Sequence, residues 1–252
     1  MKKLLVGLAL FGSLASADFI GASAGAGLWQ ENIDGYTKSG SDINYFTDNH
    51  GDPQAGYLNL GDATKPYVWA KIIHPIPFVP NVKAEYRQYH TTGTNGKVVG
   101  SISVFGEKVS GAASPVNTDL TINSYDITFF YELKIFAEIE AGFGVNVLDG
   151  ETKLSGAVNS DTTWVAPIPY LYARGETPTI FGFSAEAQVK YLDIGTAFYH
   201  DYQADVKYHL PFPILDLTLS AGYKTQEIYA EDGDNTTDIK FDGGFLEVGA
   251  RW

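Results

Sequence analysis

The eleven residues Phe181-Gly182-Phe183-Ser184-Ala185-Glu186-Ala187-Gln188-Val189-Lys190-Tyr191 decide the fold. Phe181, Phe183, Ala185, Ala187, Val189 and Tyr191 occupy every second place, and Ser184, Glu186, Gln188 and Lys190 stand between them. A period of two puts one set on each face of a β-strand. One face is apolar, and the other carries charges that would be costly in a dry core.

The same pattern recurs outward from this stretch. Ala137, Ile139, Ala141, Phe143, Val145 and Val147 alternate with polar residues or glycine, and so do Tyr202, Ala204, Val206 and Tyr208. Ten strands are expected, over 18–30, 65–74, 81–91, 121–133, 135–148, 163–173, 181–192, 196–209, 216–229 and 239–252. Long polar connections (31–64, 92–120, 149–162, 230–238) alternate with tight ones such as His74-Pro75-Ile76-Pro77-Phe78-Val79-Pro80 and Pro211-Phe212-Pro213; 193–195 is a short exception. That asymmetry predicts an all-β transmembrane antiparallel up-and-down barrel, with both termini on the short-turn side. A soluble sandwich also alternates, but it would bury its aromatics at core centres. Here Tyr67, Trp69, Tyr125, Tyr131, Tyr202, Tyr208 and Trp252 lie near strand ends, as interfacial girdles require.

The 252 residues include 30 acidic and 17 basic side chains, for a formal charge of −13, and no cysteine. Thiolate chemistry and disulfides are excluded, and no basic stripe is available for nucleic acid. Lys2 and Lys3, the apolar run Leu4–Leu14 and Ala15-Ser16-Ala17 read as a signal peptide over 1–17. Leu4–Ala17 is too short for the roughly 20 residues of a spanning helix. The mature barrel is expected over 18–252, in the outer membrane.

Leu246, Val248, Ala250 and Trp252 alternate outward at the C-terminus and resemble the signal read by the outer-membrane insertion machinery. Resemblance extends further. Tyr67-Val68-Trp69-Ala70-Lys71-Ile72-Ile73-His74-Pro75-Ile76-Pro77, Pro80-Asn81, Tyr125-Asp126-Ile127-Thr128-Phe129-Phe130-Tyr131-Glu132, Asp149-Gly150 and Pro167-Ile168-Pro169 are similar to a small outer-membrane barrel family of epsilon-class proteobacteria. The resemblance implies the compartment and the architecture, and no activity or site residues.

Alternation points Lys71, Lys83, Glu85, Arg87, Asp126, Glu132, Glu138, Glu140, Glu186, Lys190, Asp201, Asp205, Lys207, Lys224, Glu247 and Arg251 into the lumen. Mixed signs at this density predict cross-lumen ion pairs. Gly21, Gly25 and Gly27 share that face, which leaves room for long charged side chains opposite. Gly21-Ala22-Ser23-Ala24-Gly25 matches a nucleophile elbow only formally, since no helix follows it. His200 and Asp201 are strand neighbours on opposite faces, whereas His90 could pair with a loop aspartate across strands; His50 lies in the first loop, and His74 and His209 flank the tight turns. No catalytic centre and no cofactor are expected. Acid gathers at Glu31, Asp34, Asp42, Asp48, Asp52 and Asp62, and at Glu231, Asp232, Asp234 and Asp238, which reads as a solvated surface or as a place for a divalent cation, although Asp232, Asp234 and Asp238 do not have the spacing of an EF-hand loop. Tyr45-Phe46 and Tyr57-Leu58 are apolar enough for a lid or an adhesive tip. The expectation is a monomer among lipid and lipopolysaccharide: a narrow channel for small polar or cationic solutes, or a rigid structural barrel. The alternative is a surface-binding barrel acting through its acidic loops.

Overall fold

The computed structural model describes residues 21–252 apart from 49, 77, 105–106, 111–112 and 213–214, so the signal-peptide reading lies outside the described residues. Fourteen strands follow one another: β1 Gly21–Ser39, β2 Asp42–Tyr45, β3 Gly56–Tyr57, β4 Ala63–Ile73, β5 Asn81–Val98, β6 Ser101–Val104, β7 Glu107–Ser110, β8 Ala113–Lys134, β9 Glu138–Gly156, β10 Ser160–Glu176, β11 Phe183–Asp193, β12 Ala197–Phe212, β13 Leu215–Asp232 and β14 Asn235–Arg251. Among the described residues there is no helix. Twelve strands share one sheet, which returns on itself where β1 pairs with β14. Strands β6 and β7 form a separate hairpin.

The sheet therefore has twelve strands and not the expected ten, and it closes unevenly. β4 spans 11 residues, against 19 in β1 and 18 in β5 between which it lies. It would leave the upper parts of both neighbours with unpaired backbone groups, which an edge cannot leave buried. Residues read as loop fill that notch: Tyr36–Ser39 pair with β2, β2 runs parallel to β3, and Tyr57 pairs with Lys97. The Asn44 side chain completes the join by donating to the Val99 carbonyl at 3.0 Å and accepting from the Val99 N–H at 2.9 Å. Gly93 admits this chain because a Cβ there would overlap the Leu58 carbonyl oxygen.

The connections 92–120, 149–162 and 230–238 also prove to be largely strand. Their Asp, Asn and Gly content signals loops, but the period of two persists. In β8, buried Val116, Thr118, Leu120 and Ile122 alternate with exposed or half-exposed partners. The barrel wall thus continues well past the apolar belt formed outside by residues such as Leu28, Val68, Ile127, Phe143, Leu171, Val206, Leu219 and Leu246.

Aromatic residues line much of the inside. Tyr67 and Trp69 point inward and not to an outer girdle, because in β4 they share the phase of buried Lys71. Gly27 and Gly25 lie directly across from them, and the two rings cover the missing side chains. The glycines therefore receive aromatics from the adjacent strand, where charges from opposite strands were expected. Tyr170 covers Gly144 and Trp164 covers Gly150 in the same way. Such glycine–aromatic pairs lay an inward ring flat against its neighbour. Gly150→Val is expected to expel the Trp164 ring and cost about 1–3 kcal/mol, read as a lower urea midpoint for the folded, heat-modifiable form. Gly175→Val, with nothing within 4 Å of its Cβ position, should shift it far less.

Candidate functional site: a charged lumen closed at its outer end

The inward charges form two layers. In the layer nearer the tight turns, Arg174 of β10 is the hub. It donates to Glu138 and Glu140 at 2.7 Å each, to Glu186 at 2.6 Å, and to Glu176. Lys71 pairs with Glu140, and with Glu138 at 3.6 Å; Lys207 pairs with Glu186, and with Glu176 at 3.4 Å. The Tyr172 hydroxyl donates to Glu140 at 2.8 Å. Three cations face four carboxylates, every one drawn from a different place on five strands.

The second layer lies deeper. Lys190 reaches Asp126 at 2.9 Å, and the Tyr170 hydroxyl donates to the same carboxylate at 2.7 Å. Lys224 lies 3.3 Å from Asp201 and 3.5 Å from Glu85, and Lys83 is 3.7 Å from Glu85. Arg87 lies 3.2 Å from Glu31 and donates to Gln226 at 2.6 Å. Trp29 separates two of these cations, with Arg87 at 4.6 Å and Lys224 at 5.2 Å from its ring centroid. Its indole N–H donates to the Gly243 carbonyl at 3.1 Å. Four cations here meet four carboxylates. Asp205, across the β11–β12 ladder from Glu186, accepts from Gln203 at 3.2 Å, and Glu247, which lines the same lumen cavity as the two layers, accepts from the Tyr67 hydroxyl at 2.8 Å.

Of the residues assigned inward, Arg251 differs. It is half exposed at the tight-turn rim, 3.7 Å from Glu138. Glu132 is there too, held by Lys134 at 2.9 Å. Glu132, Glu138 and Glu140 offer oxygens within 4.8 Å of one another. Lys71, Lys134 and Arg174 already face those three carboxylates, so the group is engaged in an ion-pair network. Arg174, Glu176 and Glu31 belong to the lumen and were not assigned to it. The first two lie just beyond the span 163–173, and Glu31 was read as a surface acid; extending the alternation of β10 and β1 by a few residues finds all three.

Beyond the second layer the lumen turns apolar. Phe46, Leu58, Leu120, Leu154, Trp164 and Ile239 are all buried in one cluster. Phe46 and Leu58 thus fold into the mouth, with Tyr45 and Tyr57 half exposed above them. The β6–β7 hairpin lies over it, against β1 and β14 with one strand and against β10 with the other. A cavity of about 110 Å³ lies toward the other end, lined by residues of both charge layers, from Glu138, Arg174 and Lys207 up to Glu85, Arg87, Lys224 and Trp29. It shares Glu138, Glu176, His209, Asp216 and Arg251 with a recess between the tight turns.

The histidines divide accordingly. His90 pairs with Asp119 at 3.2 Å on the outer wall, and His200 lies outside while Asp201 is buried within. His74 closes its turn against the Pro80 carbonyl at 3.1 Å. His209 Nε2 is 2.8 Å from the Ser184 hydroxyl and its Nδ1 is 3.4 Å from Asp216. Those spacings resemble a hydrolytic relay, yet Ser184 donates to Glu176 at 2.9 Å and lines neither cavity. A nucleophile needs room for a reacting carbonyl beside it. The four residues tie β10 to β13 instead.

No protein-family model matches the chain, and no curated protein matches it in sequence. The narrower likeness to an epsilon-class family therefore rests on its motifs alone. Among solved structures, the neighbours are small outer-membrane β-barrels. Ail, the attachment invasion locus protein of Yersinia pestis, is 12% identical with a TM-score of 0.39, covering 93% of this chain and 99% of its own. The outer membrane protease OmpT of Escherichia coli is 11% identical with a TM-score of 0.46 (94% and 97% covered), and Neisserial surface protein A is 11% identical with a TM-score of 0.28 (92% and 95%).

Proposed function

We propose that the chain is a monomeric integral outer-membrane barrel with a closed lumen, which acts through the collar its strands raise beyond the membrane. The outward apolar belt is the lipid-facing surface, and the wall above it stands among lipopolysaccharide. Leu246 and Val248 face outward on β14. The Trp252 backbone exchanges hydrogen bonds of 3.0 and 3.1 Å with Ala22, closing the ring at the strand that would carry the insertion signal.

One observation carries the choice between conduit and closed barrel. Above the paired charges, the apolar cluster around Phe46, Leu120 and Trp164 fills the outer half. An ion crossing it would shed its hydration against Phe46, Leu58, Leu154 and Ile239 with only neutral hydroxyls such as those of Thr118 and Thr152 to replace it, and a wholly bare charge there would cost tens of kcal/mol. The lower cavity is then a water-filled recess on the periplasmic side.

The refolded chain in a planar bilayer should show no discrete openings under a salt gradient, with folding verified by heat-modifiable migration. Stable cation-selective steps would restore the channel reading. Deleting residues 36–56 would disturb the barrel itself as well as the mouth, because that segment contains part of β1, all of β2 and buried Phe46.

A further inference from the structure

Across the outer wall of the collar, register places six side chains in a single row: Asp193, Phe198, Tyr229, Asp238, Tyr36 and Tyr45, from β11, β12, β13, β14, β1 and β2 in turn. All six face away from the lumen, alternating with buried neighbours such as Tyr199, Ile228, Thr237, Ile239 and Asn44. Phe198 and Tyr229 stack at 4.9 Å, and Tyr36 meets Tyr45 edge-on at 6.2 Å. The row is interrupted between Tyr229 and Tyr36, where Asp238 stands.

We propose that Asp238, Tyr36 and Tyr229 form an open cage that receives the guanidinium group of an arginine-bearing peptide. Neighbouring strands are about 4.8 Å apart, so a cation over Asp238 would lie roughly 5 Å from each tyrosine ring, inside the ~6 Å range of a cation–π contact. The carboxylate below would accept its N–H groups, as carboxylates accept guanidinium in charge-assisted pairs.

Charge complementarity supports this occupant. Facing the cage are Glu227 and Glu231 of β13, Asp34 and Lys38 of β1, and Lys240 of β14. Counting Asp238, four carboxylates meet two lysines. Further titratable groups are His50, 3.3 Å from Asp34, and His200 of β12, in register with Glu227. Among the described residues no cation lies within 4.0 Å of Asp238 or Glu227. Burial, and then the nearby Glu227 and Asp34, push the Asp238 carboxyl up to about 6 against an opposing pull from Lys240, which stands in register with both of those carboxylates. An anionic partner, such as a lipopolysaccharide phosphate, meets repulsion here. The aromatic walls distinguish the site from a plain acidic patch, which would take calcium or magnesium equally well.

This inference deepens the surface-acting reading and rests on it, but the two fail separately, since binding is read independently of conductance. The test uses the full refolded barrel in detergent with 13C-labelled tyrosine rings, titrated with the amide of Gly-Arg-Gly. Saturable shifts at the Tyr36 and Tyr229 rings are expected, weakening at least about tenfold in Asp238→Asn and in Tyr229→Ala. Tyr229→Phe, which keeps the ring, should bind nearly as well as the parent. Binding should fade as pH falls through about 6, where the Asp238 carboxylate takes up its proton. Calcium chloride and Gly-Gln-Gly amide are the comparison probes, and neither should shift the rings. Any one of three outcomes overturns the proposal: no saturable shift, an equal response to calcium, or unchanged affinity in Asp238→Asn. Heat-modifiable migration of each variant confirms that the fold is intact.

Discussion

Arg174→Ala is expected to destabilise the folded barrel by about 3–5 kcal/mol, the range for removing one member of a buried ion pair. The side chain is 9% exposed and holds four carboxylates. Without it, Glu138, Glu140, Glu176 and Glu186 are left with Lys71 and Lys207, and two negative charges stay buried with no counter-charge. Arg174→Lys should recover only part of the loss, because one ammonium cannot reproduce a planar fork that reaches Glu186 through Nε and the others through its terminal nitrogens. The decisive comparison is the triple variant Arg174→Met, Glu140→Gln, Glu186→Gln. It leaves two lysines facing Glu138 and Glu176, a balanced set in place of the two excess negative charges of Arg174→Ala, and should be more stable than Arg174→Ala despite carrying more changes. Urea midpoints from heat-modifiable gels would settle the order. If the triple variant is the weaker, the network stabilises through its individual hydrogen bonds and not through charge balance.

How this layer could be found from the sequence shows where legibility ends. Lys71, Glu138, Glu140, Glu186 and Lys207 were assignable to the lumen because they fall within clear alternations. Their hub was not. Arg174 lies in Tyr172-Ala173-Arg174-Gly175-Glu176, where the apolar phase of β10 is broken by glycine and by the prolines upstream. Alternation also states which face a residue is on, not which strand it meets; the pairing of Arg174 with Glu186 follows from register, which the turn lengths set. The upper wall was hidden for another reason. Asp, Asn, Gly and Thr are common in loops, yet in β5, β8, β9 and β14 they fill the solvated places of the strands, and Thr or Gly also shares the buried places with Leu, Ile and Val, as at Thr91, Thr118, Thr152 and Thr237. Composition over a window then outvotes period. The inward turn of Tyr67 and Trp69 was readable in principle, since both share the parity of Lys71; the presence of aromatics near a strand end argued for a girdle only if parity was ignored.

Trp29→Ala should produce a loss of similar size, about 3–5 kcal/mol, for a different reason. Trp29 is 1% exposed and separates the charged layers from the apolar cluster. Truncation opens a cavity on a wall whose neighbours are fixed by the strand ladders with β14 and β4, so collapse is limited. It also removes the ring from beside Arg87 and Lys224, each contact worth about 0.5–2 kcal/mol when desolvated. Trp29→Phe separates the contributions. It keeps an aromatic face but leaves the Gly243 carbonyl without the indole donor, a loss near 1 kcal/mol. A ratio of midpoint shifts of roughly one to three, Phe against Ala, is expected. The bilayer readout must stay silent in both variants, because Phe46, Leu120, Leu154 and Trp164 still fill the outer half above position 29. Conductance appearing in Trp29→Ala would mean that this indole is itself the barrier, and that the apolar cluster above it admits water.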